Sequence, residues 1–121
     1  MLYGDGSQAY DFVHVRDCAV ANVLAMKSDT VDRFYNVGTG RRTSVTELAQ
    51  LVLEVTGSDV GIRYEPGGPT FVKNRVASPD RAAAELGFRA AVGLPEGLRS
   101  LVDWRMWHRD EVARRRLKAA P

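Results

Sequence analysis

The 121-residue sequence has a single cysteine, no long apolar run and little excess charge. Cys18 alone makes an intrachain disulfide impossible and favours a reducing compartment, where we expect it to be a small buried apolar side chain. No stretch approaches the roughly 20 apolar residues of a membrane-spanning helix, and the first residues lack a signal-peptide pattern. The sequence therefore predicts a cytoplasmic protein without a membrane partner.

Two further absences narrow the function. No group of His, Cys or carboxylate residues has the spacing of a metal site. The net charge is only +2, and the one basic cluster, residues 114–116, lacks interleaved aromatic residues, so nucleic acid is not predicted as a partner. The composition, 45% hydrophobic and 26% charged, predicts a folded globular protein.

The most informative stretch covers residues 4–17. Its first three residues, Gly-Asp-Gly, predict a turn, because glycine reaches positive φ without steric cost. Residues 11–15 are predicted to form a short strand, and Asp17 is predicted to cap the helix that follows. A turn, a strand and a capped helix in so few residues typically bring backbone N–H groups and side chains to a ligand.

The rest of the chain alternates helical and strand patterns, which predicts an α/β fold with α+β character. The predicted elements are a helix over residues 16–27, a strand over 33–37, a helix from the capping box Ser44/Glu47 to Gly57, a strand over 61–65, an extended segment over 70–77, a helix over 81–86 with Ser78 as N-cap, and a last helix from Leu94 with inner face Leu98, Leu101, Val102, Arg105 and Met106. One functional region is predicted over residues 1–107, followed by a charged helical end or tail over 108–121.

Four segments, in order, resemble one known family. They are Gly-Asp-Gly-x-Gln-x-x-Asp-Phe-Val-His-Val-x-Asp (residues 4–17), Phe-Tyr-Asn-Val-Gly-Thr-Gly with Ser-Val-x-Glu-Leu (34–48), Arg-Val-Ala-Ser-Pro-Asp-Arg with Leu-Gly-Phe (75–88), and Leu-x-Glu-Gly-Leu with a later Trp (94–104). Together they resemble extended short-chain dehydrogenase/reductases, the NAD-dependent nucleotide-sugar epimerases and dehydratases related to UDP-glucose 4-epimerase. The resemblance implies the C-terminal, substrate-binding part of an NAD(P)-binding Rossmann-type fold, in which residues 34–37 would add a strand to the dinucleotide-binding sheet.

The resemblance also identifies two absent features. The family's Gly-rich turn, which holds the NAD pyrophosphate at a helix N-terminus, has no counterpart that opens a first βαβ unit. The catalytic Tyr-x-x-x-Lys pair is missing too, since no tyrosine of the chain is followed by lysine four residues later. We therefore expect no catalytic residue in this chain, and we expect NAD to belong to the parent family without binding this chain alone. Gly38-Thr39-Gly40 is either a phosphate site or a turn that the fold requires.

The ligand contacts implied by the resemblance are on the nucleotide-sugar side. In the best-known epimerases one arginine that grips the diphosphate directly precedes the motif's Asp, where this chain has Tyr10. A second arginine lies in the loop where this chain has Gly67-Gly68. A guanidinium suits a diphosphate because its planar fork donates paired bonds, so other groups must replace both. The candidates are Gln8, Tyr10, Phe12, Lys73, Asn74 and Arg75.

Each candidate also has a structural interpretation. Lys73 and Arg75 are either ligand contacts or ordinary surface cations, and Phe12 is either core or ligand wall. Tyr10 would donate its hydroxyl to a phosphate or stack its ring on the ligand. His14 is interpreted as a packed, hydrogen-bonded side chain.

Two functions follow. The first is the nucleotide-sugar-binding portion of an epimerase or dehydratase, with the sugar and the base undetermined and a weakly bound nucleotide-diphosphate sugar as the ligand. The alternative is a non-catalytic binding or self-associating module derived from that fold. Residues 34–37 and 45–56 would leave apolar surface and strand edges uncovered, so a homo-oligomer or a partner chain with the N-terminal dinucleotide-binding part is predicted.

Overall fold

The computed structural model describes residues 1–67 and 72–119, with side chains up to residue 115. Residues 68–71 lie outside the described residues, and with them Thr70, the first residue of the predicted extended segment. The elements of the described residues are five helices and five two-residue strands, in the order β1 (Leu2–Tyr3), β2 (Ala9–Tyr10), α1 (Val15–Lys27), β3 (Thr43–Ser44), α2 (Val45–Thr56), β4 (Tyr64–Glu65), β5 (Asn74–Arg75), α3 (Asp80–Leu86), α4 (Leu94–Trp107) and α5 (Arg109–Ala119). The α/β prediction is confirmed.

Strand β2 is the centre of a three-stranded sheet. It pairs antiparallel with β3 and parallel with β5, while β1 and β4 form a separate parallel pair. Directly paired residues point to the same face of a sheet, and successive residues point to opposite faces. One face therefore carries Tyr10, Thr43 and Arg75, and the other carries Ala9, Ser44 and Asn74.

The core is small and lies beside α1 and α3. Phe88 is fully buried, with Ala21 at 4% and Ala82 at 1% exposure. Leu24, Tyr35, Val37, Leu86 and Ala90 pack around these three residues. Short side chains on the facing helices leave room for one large ring, so Phe88 fills most of the space between them.

The predicted boundaries of α2 and α3 depend on local chemistry, and the structure confirms most of them. The Ser44 hydroxyl accepts from the Glu47 N–H at 3.1 Å while the Glu47 carboxylate accepts from the Ser44 N–H at 2.6 Å, which is a complete capping box. Gly57 and Gly87 end the two helices in the left-handed region. At the start of α3 the prediction is one residue off: Ser78 accepts from the Asp80 N–H at 3.2 Å, but Pro79 precedes the helix instead of opening it.

The strand predicted over residues 11–15 is wrong. The ladder lies earlier, at Ala9–Tyr10, and its last bond runs from the Asp11 N–H to the Arg75 carbonyl at 3.0 Å. Beyond it residues 11–14 form no regular element, and α1 begins at Val15. Phe12 and Val13 are half-buried, whereas Val15 is 76% exposed, so the apolar pattern of these residues does not mark a paired strand.

Asp17 was also assigned the wrong role. His14 is the N-cap of α1, and its Nδ1 accepts from the Arg16 N–H at 3.2 Å. Asp17 lies in the first turn of the helix, 3% exposed, and accepts from the N–H groups of Ala91 and Val92 at 3.2 and 3.1 Å. Its carboxylate thus ties α1 to the segment before α4 instead of closing the helix end.

Residues 33–37 form no ladder, contrary to the predicted strand. Tyr35 and Val37 pack on the core, whereas Phe34 on the opposite side is 90% exposed. The alternating pattern of a strand is present, but no described strand pairs with this segment. Whether a segment forms a strand depends on the presence of a partner strand, and the local sequence pattern does not show whether one is present.

Several other predictions need correction. The strand over residues 61–65 is reduced to Tyr64–Glu65, and the segment before Ser78 contains the short strand β5. Cys18 is half-buried instead of buried. On α4 the predicted inner face is only partly covered, since Leu101 and Met106 are 58% and 57% exposed. The charged C-terminal segment is helical up to Ala119, which agrees with a helical end.

Candidate functional site

The side chains of Tyr10 and Arg75 lie on the same face of the sheet. They are paired directly across β2 and β5, and Phe12 meets the Tyr10 ring edge-on at a centroid distance of 6.1 Å. The Tyr10 hydroxyl donates to the Val72 carbonyl at 3.3 Å, so the ring crosses β5 and its hydroxyl already has an acceptor. The register thus unites a guanidinium and two aromatic rings from distant parts of the sequence.

Asn74 lies on the opposite face of β5, where it contacts a residue that the sequence analysis missed. The Arg42 Nε donates to the Asn74 Oδ1 at 3.1 Å, and Nη2 of the same guanidinium donates to the Ser7 carbonyl at 3.2 Å. Arg42 directly precedes β3. The only sequence signal for it is its place beside a strand that pairs with β2, and that pairing is not visible in the sequence.

Gln8 is 6% exposed, and its side chain lies against the turn at Gly4–Gly6. Its Nε2 donates to the Tyr3 carbonyl at 2.8 Å, while its Oε1 has no hydrogen-bond partner among the described residues. A Cβ on Gly4, which has φ +77°, would come within 2.8 Å of the Gln8 amide. Gln8 therefore holds the turn in place, and direct contact between Gln8 and a ligand remains a prediction.

The charge around β5 is mostly positive. The salt bridges of the described residues join Arg63 to Glu65 and Arg115 to Glu111, so Lys73 and Arg75 take part in neither. Hydrogen bonds from the Ser7 side chain and backbone lower the pKa of Asp5, with a smaller contribution from the charge of Lys73. Bonds from the backbone and side chain of Ser44 likewise lower the pKa of Glu47. Both carboxylates are thus engaged locally and remain ionised at neutral pH.

The Gly38–Gly40 turn serves the fold. The Asp11 carboxylate accepts from the Thr39 N–H at 3.0 Å, the Thr39 hydroxyl at 2.5 Å and the Gly40 N–H at 2.8 Å. A Cβ on Gly38 would lie 2.5 Å from the Asp11 Oδ2, so the carboxylate needs a glycine there. An aspartate already occupies the place that a phosphate would take, which favours the structural interpretation of this turn.

The N-terminus of α2 is occupied as well. The Val45 and Thr46 N–H groups donate to the carbonyls of Gln8 and Gly6 at 2.8 and 3.1 Å, and Ser44 satisfies the next N–H. A dinucleotide pyrophosphate needs free N–H groups at a helix that follows a Gly-rich turn. The turn and helix that most resemble that arrangement here therefore do not fit NAD.

Phe12 lines two cavities. One, of about 410 Å³, also has Thr39, Arg41, Pro79 and Arg89 in its wall. The other, of about 680 Å³, is mainly apolar and runs between α2 and α4 past Leu48, Leu98 and Trp104. Phe12 is half-buried, so it is part core and part cavity wall.

Two classes of site are not found in the described part of the chain. Its His, Cys, Asp and Glu side chains include no group of three or more that could hold a metal ion. None of its helices is long and apolar enough to span a bilayer.

The fold defines a class, because solved structures that resemble the chain include Rossmann-type epimerases. The Bordetella bronchiseptica enzyme WbmF, solved with NAD+ and UDP, superposes with a TM-score of 0.82 at 29% identity, covering 94% of this chain and 33% of that one. Among curated proteins, a putative UDP-glucose 4-epimerase of Methanocaldococcus jannaschii is 33% identical over 86% of this chain and 33% of its own length. A dTDP-glucose 4,6-dehydratase of Streptomyces griseus is 36% identical over 89% of this chain and 33% of its own length.

Residues 1–38 match the NAD dependent epimerase/dehydratase family. The likeness to this family extends over most of the chain, as the four ordered motifs predict. It spans about a third of the length of the relatives that it matches.

Proposed function

We propose that this chain is the nucleotide-sugar-binding portion of an NAD-dependent epimerase or dehydratase, corresponding to the C-terminal part of such an enzyme. It binds the nucleotide-diphosphate sugar at the β5 edge and supplies no catalytic residue. The reacting groups and the NAD site belong to the other part of the enzyme.

The observation that carries this proposal is the β2–β5 register. It sets Arg75 beside Tyr10, with the Phe12 ring against Tyr10, and Arg75 has no salt bridge in the described part of the chain. A guanidinium without an acidic partner binds a diphosphate with charge-assisted bonds, and an aromatic ring provides a flat surface for a base. Lys73, two residues before Arg75 on the same edge, adds a second positive charge.

The likeness to known proteins supports the ligand class but leaves the nucleotide open. The relatives named above carry UDP and dTDP in their names, and the Bordetella structure contains UDP. We take UDP-glucose as the first probe, with dTDP- and GDP-sugars as comparisons.

Replacing Arg75 with glutamine is expected to weaken UDP-glucose binding about tenfold, because charge-assisted bonds to the diphosphate are lost. Isothermal titration of the wild-type chain and the variant measures the change. Arg99→Gln, which removes an exposed charge from α4, is the matched control and should leave the affinity unchanged. Equal affinities for wild type and Arg75→Gln would show that the β5 edge is not the binding site.

The chain also exposes apolar side chains that need a covering surface. On α1, Val20, Val23 and Met26 are 45%, 48% and 86% exposed, and Phe34 lies in a segment that pairs with no strand of the described residues. We propose that the dinucleotide-binding part of the same enzyme covers this face and pairs with residues 33–37. The relatives are about three times as long as this chain, which leaves enough sequence for such a part.

Without that part, the isolated chain is expected to self-associate at tens of micromolar, since exposed apolar side chains and an unpaired extended segment favour association. Phe34→Ser should shift the mass measured by light scattering towards the monomer. Trp107→Ser, which removes an equally exposed ring from α4, should not. A monomeric wild-type chain would remove the support for this covering surface.

A further inference from the structure

We propose that His14 is a proton-sensitive latch, which holds the start of α1 against α4 at neutral pH and releases it in mild acid. The latch joins two helices of this chain and is independent of the ligand that the chain binds. His14 lies two residues after Phe12, so release of the latch also loosens the attachment of a residue of the candidate site.

The first part of the latch is a hydrogen bond of the His14 ring. His14 is the N-cap of α1, with φ −74° and ψ 144°, and its Nδ1 lies 3.2 Å from the Arg16 backbone nitrogen. A backbone N–H can only donate, so Nδ1 is the acceptor and carries no proton. The bond therefore exists only while the imidazole is neutral. A second proton occupies Nδ1 and removes the acceptor from the helix end.

The second part of the latch is the contact between the His14 ring and Gly97 of α4. A Cβ on Gly97 would lie 3.1 Å from the His14 Cδ2 and 3.9 Å from its Cγ, so the ring lies directly against the α4 backbone. The Gly97 N–H donates to the Gly93 carbonyl at 2.9 Å, which places the contact in the first turn of α4. The half-buried ring thus ties the start of α1 to the start of α4.

The elements packed around the ring provide no acidic partner for a charged imidazole. His14 lines the cavity of about 680 Å³, and it is the only ionisable side chain in the wall that the described residues form there. Glu96 and Arg99, which flank Gly97 on α4, are not part of this wall, and Glu47 of α2 is engaged in its capping box. The wall opposite the ring consists of uncharged residues, among them Leu48, Val92, Leu98, Leu101 and Trp104.

The start of α1 itself also disfavours a positive charge on His14. A helix N-terminus carries partial positive charge, and Arg16 adds a cation two residues after the cap. The carboxylate in the first turn, Asp17, already accepts from the N–H groups of Ala91 and Val92 at 3.2 and 3.1 Å. A proton on His14 therefore gains no free acceptor in this helix.

These contacts fix the sign of the pH dependence. In the folded chain a second proton on His14 costs the cap bond, whereas the unfolded chain loses nothing when it binds that proton. The unfolded state therefore binds more protons, and stability falls as the pH falls through the range in which histidine ordinarily changes charge, about pH 5 to 8.

The other histidine of the chain has the opposite geometry. The His108 Nδ1 lies 2.8 Å from the Trp104 carbonyl oxygen, which can only accept, so Nδ1 carries a proton and a second proton adds to Nε2 without loss of the bond. The His108 ring ends α4 and is stacked on Trp104 at a centroid distance of 4.7 Å. A helix C-terminus and an aromatic face both favour positive charge, so His108 is an internal control.

The experiment compares the thermal unfolding of dilute samples near neutral pH and in mild acid, at about pH 7.5 and about pH 5.5. His14→Asn keeps a side chain that caps helices well and does not titrate in this range. The acid-induced drop in unfolding temperature should be larger for the wild-type chain than for His14→Asn by about 3–6 °C, the effect of losing a helix cap in a chain of this size. All other titrating groups are common to both chains, so the difference isolates His14. His108→Gln should retain the full acid-induced drop or increase it.

An NMR titration tests the hydrogen bond itself. In the wild-type chain the Arg16 backbone amide should shift with the same midpoint as the His14 ring protons, and in His14→Asn it should not shift over that range. Equal acid-induced drops for the wild-type chain and His14→Asn would overturn the latch. So would an Arg16 amide that does not respond to protonation of His14, a result that needs only the wild-type chain and holds even where the variant folds poorly.

Discussion

Replacing Asp17 with alanine is expected to lower the free energy of unfolding by about 2–4 kcal/mol, since two N–H groups in a partly buried place lose their acceptor. The carboxylate is 3% exposed and accepts from Ala91 and Val92 at 3.2 and 3.1 Å. The carboxylate connects α1 to the segment that leads into α4, so without it the position of α1 relative to α4 is less firmly fixed. Urea unfolding followed by circular dichroism measures the loss.

The control for this prediction is Asp103→Ala, the same change at an exposed position on α4, which should cost less than about 0.5 kcal/mol. Asp17→Asn tests the account further. The amide can still accept one N–H, but its own NH₂ faces the other, so a loss between those of wild type and alanine is expected. Unfolding midpoints for Asp17→Ala and Asp103→Ala that agree within error would contradict the role assigned to Asp17.

Phe88→Ala is expected to cost about 3–5 kcal/mol, the range for removing a buried aromatic ring from a core. Phe88 is fully buried, and its immediate core neighbours Ala21 and Ala82 are too small to fill the space left. With so small a core, much of the folded population should be lost at 25 °C. Phe88→Leu should recover a large part of the stability because it keeps most of the buried volume.

Phe34→Ala provides the matched control, as the same substitution at a ring that is 90% exposed. It should leave the unfolding midpoint of a dilute sample almost unchanged, because little apolar surface is lost from the folded interior. A similar destabilisation by both substitutions would mean that Phe88 is not the centre of the core.

Features set by neighbouring residues could be predicted from the sequence. The capping box Ser44/Glu47, the stops at Gly57 and Gly87 and the turn at Gly4–Gly6 each depend on residues a few positions apart, and the structure has all of them. Asp17 shows the limit of such reasoning. An aspartate at a helix start suits a cap, but a bond to N–H groups more than seventy residues away takes precedence, and no local pattern reports it.

The candidate site could likewise be predicted only in part, since motifs are visible in the sequence and strand pairings are not. The Gln-x-x-Asp-Phe motif and the Asn-Arg pair could be recognised from the sequence, whereas the pairing of Tyr10 with Arg75 required the strand register. The sequence analysis did not identify Arg42, because its hydrogen bonds join it to Ser7 and Asn74, which are distant in sequence. The strand expected over residues 33–37 lacks a partner among the described strands, and an apolar alternation predicts only which side chains face inward.

The central claim is that this chain contains the nucleotide-sugar side of an epimerase-type cleft and not the dinucleotide side. The most direct measurement is a residue-resolved NMR titration of the wild-type chain with UDP-glucose and, separately, with NAD. The account predicts saturable shifts at Tyr10, Phe12, Asn74 and Arg75 with UDP-glucose and no saturable shift with NAD. Saturable binding of NAD at the Gly38–Gly40 turn, with no response of the β5 edge to UDP-glucose, would contradict it.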